Sequence, residues 1–166
     1  MNIFVCGSSH LSAADQTEIE QFLLRYAPKH QVHVLSYKNI EREVLRFFVQ
    51  RDHLAPQLHM YSLQPIHTLS PSFQSIVHYL EEQGARYVSF GYAHSSIYRS
   101  EYITYLRSVL LGIELVVCFY NGDSHTSVIP VDVAKEMGID AVIYELPGEN
   151  AGETHRRLAD KLRVIQ

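Results

Sequence analysis

The sequence predicts an α/β protein: a Rossmann-like three-layer α/β/α sandwich with a mostly parallel sheet. Two observations carry that expectation. Short apolar runs of strand length alternate along the chain with segments of helical periodicity, and strands separated by helices need crossover connections, which pair them in parallel and cover both faces of the sheet. In addition, Ile113 to Tyr120 is the most hydrophobic of the runs, as a strand buried on both faces should be, and it is expected at the centre of the sheet.

The elements follow in order. Ile3 to Cys6 is the first buried strand. Asp15 and Glu18 then have capping-box spacing, ahead of a helical stripe of Ile19, Phe22, Leu23 and Tyr26 that Pro28 closes. Gln31 to Leu35 is the second strand, and Asn39 is placed to cap a helix whose inner face holds Ile40, Val44, Phe47 and Phe48. Leu58 to Leu63 is the third strand, followed by a loop from Gln64 to Ser70. Ser70-Pro71 then has the form of an N-cap with proline at the first helical position, and Phe73, Ile76, Val77 and Leu80 make the stripe before Gly84. Arg86 to Phe90 is the fourth strand. A helix from about Ser96 carries Tyr98, Tyr102, Leu106, Val109 and Leu110 and stops at Gly112. The central strand, a helix ending at Gly138, a sixth strand over Ala141 to Tyr144 and a final helix complete the pattern. Arg156, Arg157, Lys161 and Arg163 are expected on the solvated face of that last helix.

Composition bounds the rest. With 166 residues, 46% hydrophobic and 19% charged, the chain is expected to form one globular domain, residues 1–166, with a core that needs no disulfide or metal. Cys6 and Cys118 lie singly inside apolar runs, as buried free thiols do. No signal-peptide pattern follows Met1 and no apolar run is long enough to cross a bilayer, so a cytoplasmic protein without a membrane partner is expected. The formal charge of −4 argues against a surface built to neutralise a phosphate backbone, and nucleic acid is expected to be disfavoured as a partner. The ten histidines show no HExxH and no helical pair at ligand spacing. His10, His94 and His125 fall in three different loops of the expected site, where they read as neutral hydrogen-bonding groups; neither a metal nor a cofactor is expected.

Ligands of open α/β sheets bind outside the carboxyl ends of the strands, at a reversal of strand order. Four loops reach that edge: Gly7-Ser8-Ser9-His10, Ser36-Tyr37-Lys38-Asn39, Gly91 to Ser96, and Asn121 to Ser127. Glycine, serine and asparagine also make ordinary turns and caps. Four such loops on one edge nevertheless favour a phosphate- or ribose-binding site, because small residues let backbone N–H groups approach an anion. Neither GxGxxG nor a Walker motif is present.

The stretch from Tyr98 to Leu146 resembles the C-terminal half of the SLOG superfamily, the Rossmann-like group that includes the LOG phosphoribohydrolases. The resemblance lies in Tyr98-Arg99-Ser100-Glu101-Tyr102 opening a helix, the apolar strand Leu115 to Tyr120, the loop Asn121-Gly122-Asp123-Ser124-His125-Thr126 and the helix Val133 to Ile139. The opening Met1 to Ser8 is similar to the family's first strand and loop. The resemblance implies a nucleotide-shaped pocket with Arg99 on a phosphate; the strand-end loops themselves offer Gly7, Ser8, Ser9, Tyr92, Asn121, Gly122, Ser124, His125 and Thr126 as ligand contacts. Departures bear on activity. The family's catalytic Glu, three residues after the Thr of its Gly-Thr, corresponds to Ile129. Its paired glycines correspond to Gly122-Asp123, the Gly before the Thr to His125, and its Gly-rich loop after the second strand to Ser36-Tyr37-Lys38-Asn39. An isoleucine cannot do ionic or acid–base work at a departing base.

The first functional expectation is therefore binding or sensing of a nucleotide or nucleotide-derived small molecule. The second is an N-glycosidic hydrolase or transferase with Glu101 and Asp123 as its catalytic carboxylates, one stabilising an oxocarbenium and one managing a proton. A protein-interaction domain with a degraded pocket is the third. Tyr92, Tyr98 and Tyr102 could stack on a base, and the large side chains from Tyr98 to Leu110, more than one helix face needs, point to a homodimer.

Overall fold

Six parallel strands, joined at one edge by an antiparallel seventh, form a single sheet in the computed structural model, which describes residues 1–37 and 40–148 and the backbone of residues 162–165. The elements are β1 (Asn2–Gly7), α1 (Ala13–Tyr26), β2 (Gln31–Ser36), α2 (Glu41–Gln50), β3 (Leu58–Ser62), α3 (Pro71–Glu82), β4 (Arg86–Ser89), α4 (Arg99–Leu110), β5 (Leu115–Tyr120), α5 (Ile129–Glu136), β6 (Asp140–Glu145) and β7 (Leu162–Ile165). Their order across the sheet is β4-β3-β2-β1-β5-β6-β7. Helices alternate with the parallel strands, as the apolar pattern predicts, and β5 lies in the interior between β1 and β6. The strand order reverses direction between β1 and β5, the kind of position at which open α/β sheets form a crevice.

Alternation along the strands divides the core into two faces. Ile3 and Val5 of β1, Val32 and Val34 of β2, and Val117 and Phe119 of β5 pack with α1, α2 and α3 on the first face. Phe4, Cys6, Val116 and Cys118 point to the second, against Tyr102, Leu106, Val109 and Leu110 of α4 and Val133 and Ala134 of α5. Cys6 and Cys118 are register partners on β1 and β5, and both are buried free thiols. Burial, with the Cys118 thiol beside it, pushes the Cys6 thiol well up from its ordinary range, which keeps it out of the reactive thiolate form.

Several elements differ from the sequence reading. The capping box of α1 sits one turn earlier: the Ser12 hydroxyl accepts the Asp15 N–H at 3.1 Å and the Asp15 carboxylate accepts the Ser12 N–H at 3.1 Å. Glu18 is left to accept a hydrogen bond from the Tyr144 hydroxyl. Residues 162–165 are not helical, because they pair antiparallel with β6, so Arg163 belongs to a strand. Arg156, Arg157, Lys161 and the expected cap Asn39 lie outside the described residues. The helix α4 begins at Arg99. Its Tyr102, Leu106, Val109 and Leu110 all turn inward, while Tyr98 is 68% exposed. Most of the bulk read as surplus is therefore this chain's own core.

The second face of β2 and β3 carries a polar cluster. His33 Nε2 stands 2.9 Å from Asn2 Oδ1 and its Nδ1 2.9 Å from the Tyr61 hydroxyl. An amide oxygen can only accept, so this arrangement assigns the hydrogen to Nε2 and makes the Tyr61 hydroxyl the donor to Nδ1. The ring also stacks on His59 with centroids 4.2 Å apart. Burial, followed by the neighbouring His59, pushes His33 down from 6.5 to about 4. Between those values the unfolded chain takes up a proton that the folded chain refuses, so stability is full above pH 6.5 and falls as pH drops toward about 4. Urea unfolding is expected to show a lower midpoint at about pH 5 than at about pH 7, and His33→Gln is expected to make that decline shallower. Equal declines in both proteins would remove His33 as its source.

Candidate crevice at the reversal of strand order

The crevice forms where the loops after β1 and β5 touch. Gly7 ends β1 with φ +147°, and a Cβ built on it would lie 2.0 Å from the Phe119 carbonyl oxygen. No other residue type fits, and the close approach lets the Ser8 N–H reach that same oxygen at 2.8 Å. Ser8 is fully buried. Its hydroxyl accepts the Asn121 N–H at 3.0 Å and donates to Asp123 Oδ1 at 2.9 Å. Asp123 also accepts from the Ser127 hydroxyl at 3.1 Å, the Ser124 N–H at 2.7 Å and, on Oδ2, the Ser9 N–H at 3.2 Å. Burial pushes the Asp123 carboxyl up, but the bonds from Ser8, Ser124, Ser9 and Ser127 outweigh it and hold the group below its ordinary range.

A second carboxylate, Asp15, closes the other side. It is fully buried and accepts from Asn121 Nδ2 at 3.0 Å and from the Gly148 N–H at 2.7 Å, besides the Ser12 cap. Asn121 Nδ2 also donates to the His10 carbonyl at 2.6 Å, so both its amide hydrogens are engaged. The depression between His10–Ser12 and Asp15 on one side and Asn121–Asp123 and Gly148 on the other has a volume of about 420 Å³.

The crevice thus gathers Gly7, Ser8, Ser9, Asn121, Gly122, Asp123 and Ser124 of the residues singled out in the sequence. Asp15, Ser12, Ser127 and Gly148 are additions. The Ser12–Asp15 spacing carried a signal for the first two, since a capping acid at the start of the first helix stands at the sheet edge. Thr126 gives its N–H to the Ser124 hydroxyl at 3.3 Å. His125 is exposed, 3.8 Å from Asp132.

The remaining residues lie elsewhere. Arg99, at the start of α4, lines a depression of about 520 Å³ between α4 and α5 with Arg107, Asp132, Lys135 and Glu136. Those two helices cover the second face, whereas the crevice opens beside α1 on the first. Glu101 stands with Tyr92, whose hydroxyl is 3.5 Å from Oε1, and with Ser100, whose hydroxyl donates to Oε2 at 2.9 Å. It is not brought together with Asp123. Tyr102 is buried against Tyr37, and no face of its ring is open to a base. Ile129, at the position of the family's catalytic Glu, is a core residue. Among the described residues no group of three or more His, Cys, Asp or Glu side chains is placed to hold a metal ion. No helix among them is long and apolar enough to cross a membrane.

No family model and no curated protein matches the chain. Among solved structures it is similar to DNA processing protein A from Helicobacter pylori, described for its unique single-stranded DNA binding mode. The TM-score is 0.61 at 10% identity, over 86% of this chain and 64% of that one. The likeness is one of fold, and the chain spans less than two thirds of that protein's length. It overturns the expectation that nucleic acid is disfavoured as a partner. The same architecture serves a DNA-binding protein, and a net charge averages a surface on which a phosphate strand needs only a local group of cations.

Ser8 is the joint of the crevice. Ser8→Ala is expected to leave the Asn121 N–H without its acceptor and to lower stability by about 1–3 kcal/mol in urea unfolding. A change below about 0.5 kcal/mol would show that the two loops do not depend on this hydroxyl.

Proposed function

We propose that this chain is a binding or sensing domain of SLOG-like type for a nucleotide or nucleotide-derived small molecule, seated in the crevice between β1 and β5. The observation that carries the reading is the fixed polar crevice at the reversal of strand order, with Asp123 locked ionised by four donors. Its Oδ2 accepts a single N–H and so keeps room for a ligand hydroxyl or amino group, the kind of contact by which a carboxylate holds a ribose. The enzyme alternative draws less support. Glu101 and Asp123 stand on different surfaces, and Asp15, the carboxylate that shares the crevice with Asp123, is engaged with Ser12, Asn121 and Gly148.

The likeness to a single-stranded DNA-binding protein favours a second reading, contact with single-stranded nucleic acid. Its cations would come from the groove between α4 and α5, where Arg99 and Lys135 make no ion pair among the described residues, and not from the acidic crevice.

Thermal denaturation against nucleosides, nucleotides and dinucleotides tests the first reading. A ligand at a hundredfold excess over its Kd is expected to raise Tm by roughly 5–10 °C, and Asp123→Asn is expected to weaken that response at least about tenfold in affinity. A flat response across the panel would remove the small-molecule reading. Fluorescence anisotropy with labelled oligo(dT) tests the second: binding should weaken with salt, and Arg99→Ala with Lys135→Ala should reduce the logarithmic salt slope by about 0.7 per residue. Absence of binding at low salt would exclude it.

A further inference from the structure

The surroundings of Asp123 have a character of their own: they consist of donors. Ser8 and Ser127 are 0% and 2% exposed, so neither hydroxyl has bulk water as an alternative partner. The Ser8 oxygen accepts the Asn121 N–H, and its single hydrogen is given to Asp123. The backbone N–H groups of Ser9 and Ser124 complete the set from the two loops. Two hydroxyls and two N–H groups converging on a pair of oxygens form a cradle for an oxyanion, the arrangement that backbone nests and serine-rich loops offer to phosphate or sulfate. Here the oxygens belong to the chain itself. Gly122, with φ +88° and open space around it, makes the turn that folds Asp123 back onto the loop after β1.

We propose that this cradle is an oxyanion-binding site closed by the protein's own carboxylate. Asp123 occupies the position that a phosphate or sulfate would take, and it thereby sets the specificity of the crevice. Phosphate-terminated ligands are turned away from this point by like charge and by the lack of free donors. A ligand that offers hydroxyl, amino or ring N–H donors is admitted, because Asp123 is itself an acceptor with capacity to spare on Oδ2. Asp15, the second carboxylate of the crevice, adds to the same selection. This choice of ligand rests on the small-molecule reading above: it narrows the class to the uncharged, donor-bearing part of a nucleoside. The cradle itself does not rest on that reading.

The test uses inorganic phosphate and sulfate against matched sodium chloride, so that it involves no nucleoside. In thermal denaturation and titration calorimetry the parent protein should show no phosphate-specific effect. Asp123→Ala, which vacates the cradle, should gain a saturable one, and adding Ser8→Ala to it should weaken that binding at least about tenfold. Asp123→Asn fills the cradle with an amide and should gain nothing. If Asp123→Ala does not fold in chloride, Asp123→Gly is examined in the same way, and about 50 mM phosphate should restore the circular dichroism of either variant by binding the native state. The proposal is overturned if the parent binds phosphate as tightly as Asp123→Ala, or if neither variant gains phosphate binding or phosphate-dependent folding. It is also overturned if the parent binds a nucleoside 5′-monophosphate at this crevice better than the nucleoside, as judged by loss of binding in Ser8→Ala. A parent that ignores every nucleoside while Asp123→Ala gains phosphate would remove the small-molecule reading and leave the closed cradle standing.

Discussion

The crevice at the sheet edge depends on one contact, the approach of the chain after β1 to the end of β5. Gly7 makes it sterically feasible, since any side chain there would run into the Phe119 carbonyl. Ser8 then converts proximity into fixed geometry, with its N–H on Phe119 and its hydroxyl shared between Asn121 and Asp123. A buried hydroxyl with a donor and an acceptor both assigned has one orientation, so the two loops are held in a single register. The positions of Asp123, Ser9 and Ser124 follow from that register.

The electrostatic character of the edge follows in turn. In many open α/β sheets the first loop and the start of the first helix offer unpaired N–H groups to an anion. In this protein the corresponding donors are engaged by carboxylates of the chain: Ser12 N–H by Asp15, and Ser9 and Ser124 N–H by Asp123. These three donors are therefore already engaged and the crevice carries negative charge, while Arg99 and Lys135 stand on the other face beside α5. One fold thus presents an acidic crevice and a separate groove of mixed charge on opposite sides of its sheet. The whole-chain charge of −4 conveys none of this separation.

Much of the fold was legible because its signals are local. The stripe of Ile19, Phe22 and Leu23, the Ser70-Pro71 start of α3 and the unbroken apolar run of β5 each state their structure within a few residues. The cap of α1 was misread because Ser12-Asp15 and Asp15-Glu18 have the same spacing, and only the backbone decides which pair closes. The final strand was misread because pairing with β6 outweighs any helical pattern over residues 162–165. At the site, the residues of the loops after β1 and β5 were legible as small polar residues at strand ends. Arg99 and Glu101 were grouped with them because a sequence gives distance along the chain and not the face of the sheet to which a helix returns.

By itself the sequence determined the alternation of strands and helices and the interior place of β5, because hydrophobic periodicity is written within single elements. Only the tertiary structure decided that Asp15 and Asp123 share a crevice while Glu101 does not. It alone decided that Ser8 and Asp123 are partners across 115 residues of chain, and that the donors around Asp123 are already engaged. Those outcomes depend on which strands become neighbours and which face each crossover covers, and such long-range choices are settled by burial of the whole core at once.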